Sequence, residues 1–180
     1  MKYFIYIVTL VSFFIIGSCN QDRTKAYVAE RGSDLKEKQK KEALEKANKY
    51  LLIQENEEIE RFIKRHHWDM RSTGSGLRYQ IYDQGKGKKV EKGDYVTLNY
   101  RVFLLNGDLI YSSETEGPKT FKVGKGGVES GLEELVLLLH KGDKVRAIFP
   151  AHLAYGLKGD MKKIPPKTTI IYDLQLTEIK

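Results

Sequence analysis

Around residue 100 the side chains alternate. Val96, Leu98, Tyr100 and Val102 line one face of an extended segment, and a shorter run upstream, Leu77, Tyr79 and Ile81, alternates with Arg78, Gln80 and Tyr82. A period of two predicts strands with one buried face. Gly85-Lys86-Gly87 breaks the first run, and the second is expected over 95–105. Asn106-Gly107 supplies a hairpin turn, because both central residues of that turn need positive φ. A return strand is expected over 108–113, a brief strand over 120–123, and two more over 144–149 and 168–179. The glycine turn Gly124-Lys125-Gly126-Gly127 lacks the lysine and hydroxyl that complete a phosphate loop.

Upstream the period lengthens. Leu44, Ala47, Leu51, Ile59, Phe62 and Ile63 recur at helical spacing, and no Gly or Pro interrupts the stretch between Asp34 and Trp68. Glu55, Glu57, Glu58 and Glu60 fall to the solvent side of that pattern. This helical segment, 34–70, either packs its stripe on the downstream domain or presents it to a second copy or partner. Downstream, Ser130-Gly131-Leu132-Glu133 has capping-box spacing and opens a short helix through residues 132–139, with Lys141-Gly142 as its stop. The class is therefore α+β: one mostly antiparallel sheet with one short central helix, preceded by an N-terminal helical segment.

Composition changes the picture at the N-terminus. The 180 residues carry a net charge of +7, which raises nucleic acid as a partner. The opening residues argue against it: residues 1–16 are one lysine and an apolar run too short to span a bilayer, the profile of a secretory signal. Ile16-Gly17-Ser18-Cys19 follows, with the chain's only cysteine. This segment resembles the lipobox of bacterial lipoproteins, which implies lipidation of Cys19 and removal of residues 1–18. The expectation is a signal peptide over 1–18 and a polar, lipidated tether over 19–33. The mature protein would be held in the bacterial cell envelope, facing the periplasm, through lipid rather than a spanning helix. His66-His67 are adjacent and point apart on a helix, so no metal site is expected, and no cofactor.

Residues 74–180 contain no cysteine, no serine beside a His–Asp pair and no carboxylate pair with metal-ligand spacing. They are rich in aromatics instead: Tyr100, Tyr111, Phe121, Tyr155 and Tyr172, accompanied by Val128, Leu132 and Ile164. Taken singly, each reads as core. The stretch AYGLKGDMKKIPP (154–166) sets Tyr155 and the paired prolines Pro165 and Pro166 in a loop long enough to suggest function. Three blocks, LNYRVFLLNGDLIYSS, FKVGKGGVESGLEELVLLLHKGDKVRAIFPAHLAYG and IPPKTTIIYDLQLTEI, together resemble the FK506-binding-protein (FKBP) type of peptidyl-prolyl cis–trans isomerase across 74–180. With the lipobox and the helical lead-in, the whole chain resembles the gliding-motility-associated isomerase lipoproteins of that family.

The resemblance implies a curved sheet wrapped around the short helix, with the 154–166 loop closing over a shallow apolar pocket. It implies rotation of X-Pro bonds in exported proteins, with a binding or chaperone module of weak turnover as the alternative, and a surface for macrolide inhibitors. Tyr155 would donate a hydrogen bond to a substrate carbonyl. Tyr100, Phe121, Val128, Leu132, Ile164 and Tyr172 would wall the proline pocket, and Glu129 would contribute its backbone N–H. Ile110 and Tyr111 would also contact substrate, where the family usually has Phe-Asp, and the chain departs from the family pattern there and at Lys119, which replaces a rim aromatic. Residues 74–180 are expected to fold alone.

Overall fold

A computed structural model describes the backbone of residues 21–180 and the side chains from Lys36 onward. The signal segment and Cys19 lie outside the described residues. The chain divides into two compact units, Met1–Leu52 and Ile53–Lys180.

In the first unit the described backbone is helical. Helix α1 spans Gln21–His66, so the stretch expected as a patternless tether is helix from Gln21 onward. Lys25, Ala26, Ala29, Glu30 and Arg31 are strong helix formers, and Gly32 alone costs about 1 kcal/mol. Extending a formed helix also avoids a second nucleation. Tyr50, Leu51 and Leu52 are exposed. Among the described residues no helix is long and apolar enough to cross a membrane.

The second unit begins with the last turns of α1, earlier than the boundary expected at residue 74. Its seven strands are β1 (Arg71–Ser72), β2 (Arg78–Asp83), β3 (Tyr95–Leu104), β4 (Leu109–Ser112), β5 (Lys119–Lys122), β6 (Lys144–Phe149) and β7 (Ile170–Ile179). They form one antiparallel sheet in the order β1-β2-β6-β7-β3-β4, and β5 shares the outer edge of β3 with β4. The expected alternation holds in β3, where Val96, Leu98, Tyr100 and Val102 are all buried.

Strands β6 and β7 alternate buried and partly exposed residues along most of their length, but where Ile148-Phe149 pairs with Ile170-Ile171 both faces are apolar and both are covered. On one, Ala147, Phe149, Tyr172 and Leu174 join the main core with Leu132, Leu135 and Leu139. On the other, Ile148 and its register partner Ile171 pack against Ile59 and Phe62 of α1, with Phe103, Leu105 and Trp68 at the margin. Ile59 and Phe62 are 1% and 5% exposed. Burying two such side chains stabilises the unit by about 3–6 kcal/mol. That is why the compact unit includes them.

Helix α2 is a single turn, Ser113–Glu116, between β4 and β5, and helix α3 spans Ser130–Val136, ending before the 132–139 stretch does. The capping box is not formed. Ser130 lies inside the helix, and the carboxylate of Glu133 accepts the backbone N–H groups of Gly124 and Gly126, at 2.7 and 3.1 Å. Glu133 thus ties down the glycine turn rather than the helix start. Gly131 lets α3 approach the chain after β6: a Cβ there would lie 3.0 Å from the carbonyl oxygen of Leu153.

Candidate functional site

The loop from Pro150 to Thr169 forms a lid. A 3-10 turn, Ala151–Leu153, leads into Tyr155 and Gly156, whose positive φ reverses the chain. The backbone N–H of Lys167 then donates to the carbonyl of Gly156 at 2.8 Å, joining outbound and returning arms. Asp160 organises the tip: its Oδ1 accepts the backbone N–H of Lys162 at 2.9 Å and of Ile164 at 2.8 Å. Short acidic side chains make such local turns readily. Gly159 is required there, since a Cβ would meet the carbonyl oxygen of Ile164 at 2.2 Å. Ile164 is buried in the core, and Pro165 and Pro166 stiffen the return by fixing φ.

The lid is fastened on two sides. Toward β4, the Tyr111 hydroxyl donates to Asp160 Oδ2 and the Lys163 ammonium to the carbonyl of Ile110 at 3.3 Å. The bond to Asp160, and burial after it, push the Tyr111 hydroxyl up to about 12. Burial pushes the Asp160 carboxyl up, but Tyr111 and the lid's backbone N–H groups outweigh it, and the group lies below its ordinary value. At the base, Glu55 Oε1 of α1 accepts the backbone N–H of Ala151 at 2.7 Å and the Thr169 hydroxyl at 2.6 Å. Glu55 was assigned to solvent from the sequence. It lies four residues before Ile59, on the face that meets the sheet.

Beneath the lid is a cavity of about 310 Å³ lined by Tyr100, Val102, Tyr111, Glu116, Lys119, Tyr155, Asp160, Lys162 and Tyr172. Four of the expected site residues, Tyr100, Tyr111, Tyr155 and Tyr172, therefore come together. Phe121, Leu132 and Ile164 are buried in the main core, with Val128 and Ile110 packed against it, and none of the five lines this cavity. The wall is tyrosine, backed by aliphatic core.

The largest difference from expectation is Glu129. The family resemblance gave it a backbone role, yet its side chain is 5% exposed and anchors a polar cluster. Both Tyr155 and Tyr172 donate their hydroxyls to Glu129 Oε1, the latter at 2.9 Å. Lys119 donates to the Tyr172 oxygen at 3.2 Å, and its ammonium stands 3.5 Å from Oε1. That ammonium also lies 5.2 Å from the centre of the Tyr100 ring and 5.8 Å from that of Tyr172. Lys119 is thus a bridge between two rings and a carboxylate, where an aromatic was expected.

Burial pushes the Glu129 carboxyl up, but Lys119 and the two hydroxyls more than offset it, leaving the group below its ordinary value and ionised at neutral pH. The same cluster pushes the Tyr155 hydroxyl up, through burial first and Glu129 second. Tyr155 is a neutral donor across the working pH range. The arrangement holds no nucleophile–base pair. It can bind, orient and partly desolvate an extended peptide. Among the described residues no group of three or more His, Cys, Asp or Glu side chains is placed to hold a metal ion.

A family model described as FKBP-type peptidyl-prolyl cis-trans isomerase matches residues 86–177. The chain is 34% identical over 112 residues to the FKBP-type peptidyl-prolyl cis-trans isomerase FkpA of Escherichia coli (strain K12), covering 62% of this chain and 40% of that protein. It is 38% identical over 111 residues to the probable FKBP-type peptidyl-prolyl cis-trans isomerase FkpA of Neisseria meningitidis serogroup B, covering 61% of this chain. The alignment again spans 40% of the relative's length. The crystal structure of FkpA from Escherichia coli superposes with a TM-score of 0.63 at 26% identity, covering 100% of this chain and 82% of that one.

Proposed function

This chain belongs to the FKBP-type peptidyl-prolyl cis-trans isomerase family, and from that premise we propose that it catalyses cis–trans rotation of X-Pro bonds in polypeptides. The observation that carries the reading is the Tyr155 hydroxyl, held by the lid at a tyrosine-walled cavity. Amide resonance sets a rotation barrier of about 18–20 kcal/mol, and uncatalysed X-Pro isomerisation takes tens of seconds or longer. No bond to carbon need break. The planar amide is more charge-separated than the twisted one, so replacing water with the rings of Tyr100 and Tyr172 favours the twist. A hydrogen bond from Tyr155 to a flanking carbonyl would hold the peptide in the conformation that rotates. Relaxation of a proline peptide from its cis form, followed with the purified protein at micromolar concentration, tests this. Rates equal to buffer alone would exclude the enzyme.

A second reading, a binding or chaperone module in the same cavity, is favoured by one observation: the Tyr155 hydroxyl already donates to Glu129. A module of that kind would bind proline peptides without accelerating them. Glu116, Lys119, Asp160 and Lys162 make the cavity more polar than the apolar pocket the resemblance implies, which disfavours macrolide binding.

We further propose that the protein works in the bacterial cell envelope as a lipoprotein on exported chains. The support is the sequence of residues 1–19 alone: the apolar run, two small residues and the single cysteine. Mass spectrometry of the native protein tests it, with a diacylglyceryl-modified Cys19 at the N-terminus as the expected result and an unmodified later start as the result that excludes it.

A further inference from the structure

A hydroxyl has one hydrogen. While Tyr155 donates it to Glu129 Oε1, it has none for a substrate carbonyl. Glu129 would not be stranded by the loss of this donor, because Tyr172 donates to the same oxygen at 2.9 Å and the Lys119 ammonium stands 3.5 Å away. The carboxylate is fixed from three directions: α3 begins at the next residue, β7 supplies Tyr172 and β5 supplies Lys119. Tyr155 comes from the lid, the element bounded by turns rather than by the sheet ladder. The movable partner of this bond is therefore the tyrosine.

We propose that Glu129 is a built-in competitor for the Tyr155 hydroxyl, so that a substrate carbonyl engages Tyr155 only by displacing the carboxylate. This rests on the reading of Tyr155 as the substrate-orienting donor. Glu129 then acts as a positioning residue in the free protein, keeping the ring aimed into the cavity and taxing weak ligands that cannot replace a charge-assisted bond. Peptides with a strong, well-placed acceptor carbonyl displace it, while poorly placed ones do not. Because the displaced bond belongs to the free protein, its strength enters substrate affinity rather than the rotation step.

The test compares wild type, Glu129→Gln, Tyr155→Phe and the double variant of the whole protein, using a tetrapeptide with a central Leu-Pro bond. Exchanging an ionised acceptor for a neutral one should lower KM by about three- to ten-fold while kcat changes little. Tyr155→Phe should cost little in the wild-type background and several-fold more in the Glu129→Gln background. Equal costs in the two backgrounds, or a raised KM for Glu129→Gln, overturn the proposal.

A second measurement is independent of turnover. In the free wild-type protein, the Tyr155 hydroxyl proton should give a slowly exchanging downfield NMR signal, absent from Tyr155→Phe, that is lost or shifted on saturation with the peptide. A signal unmoved at saturation overturns the competition, as does a peptide that binds neither wild type nor Glu129→Gln. If wild type accelerates nothing while the peptide still displaces the signal, the isomerase reading fails and the competition stands.

Discussion

Tyr111 and Asp160 join β4 to the tip of the lid, hydroxyl to carboxylate, across 49 residues of sequence. Both are partners a loop can lose without unfolding the sheet. Tyr111→Phe should therefore loosen residues 154–167 and little else. The expected cost is about 0.5–1.5 kcal/mol, the usual net worth of such a bond. Amide hydrogen exchange should quicken for Lys162 and Ile164, whose N–H groups bond to Asp160, and stay unchanged in β3 and β7. Uniform quickening across the sheet would show that the bond has a global role.

Tyrosine ionisation gives a pH signature. Tyr82 and Tyr111 are pushed up to about 12, and Tyr100, Tyr155 and Tyr172 are also raised above the ordinary 10.0. A group raised on folding contributes stability that is complete below its unfolded value and lost as pH climbs toward its folded one. Stability should thus be flat near neutrality and fall from about pH 10 toward 12. Absorbance titration should show these five tyrosines ionising late in the folded protein and near 10 in denaturant. A single titration near 10 in both would exclude the network.

The face between α1 and the sheet makes a stability prediction. Phe62→Ala should lower the unfolding free energy by about 3–5 kcal/mol, since it empties a site packed against Ile148 and Ile171. Residues 74–180 alone, lacking Ile59 and Phe62, should be less stable than residues 53–180 in chemical denaturation. Equal midpoints would place the boundary back at residue 74.

These contrasts show where the sequence was legible. Although only Gly107 of the Asn106-Gly107 pair takes the positive φ expected of both, strand β3 and the hairpin through that pair follow from alternation and turn residues. So does the gathering of Tyr100, Tyr155 and Tyr172, once the family blocks are in view. Polarity misled at Glu55, Glu129 and Glu133. Glu55 reads as a solvent residue, Glu129 as a backbone donor and Glu133 as part of a helix cap, and each side chain instead accepts donors from distant segments: two lid hinges, two tyrosines and a glycine turn. A carboxylate in a sequence carries no direction. Whether it faces water depends on which donors the fold leaves unpaired nearby, and that is settled only by tertiary contacts. The start of β7 shows the converse, since the consecutive apolar residues Ile170, Ile171 and Tyr172 became interpretable once α1 was seen to cover Ile171 on the second face.

Glu55→Gln keeps the shape and weakens both contacts at the base of the lid. The expected result is a fall in Tm of a few degrees and a raised KM for proline peptides, because an anchored lid binds with less ordering cost. Glu55→Ala should show the same direction more strongly. An unchanged KM in both would separate the helix from the site.

Glu55 is the third residue of the second unit, ahead of Ile59 and Phe62 in the chain. Within the second unit, loosening of α1 that proceeds from Ile53 toward His66 reaches this anchor before it reaches the apolar seal. Partial opening would therefore release both hinges of the lid while the sheet stays covered on its second face. The protein would possess an intermediate level of order, cheaper to reach than global unfolding, in which the binding surface is slack and the scaffold intact. Release of Glu55 would populate that level first, and it would be felt at the cavity as lowered affinity.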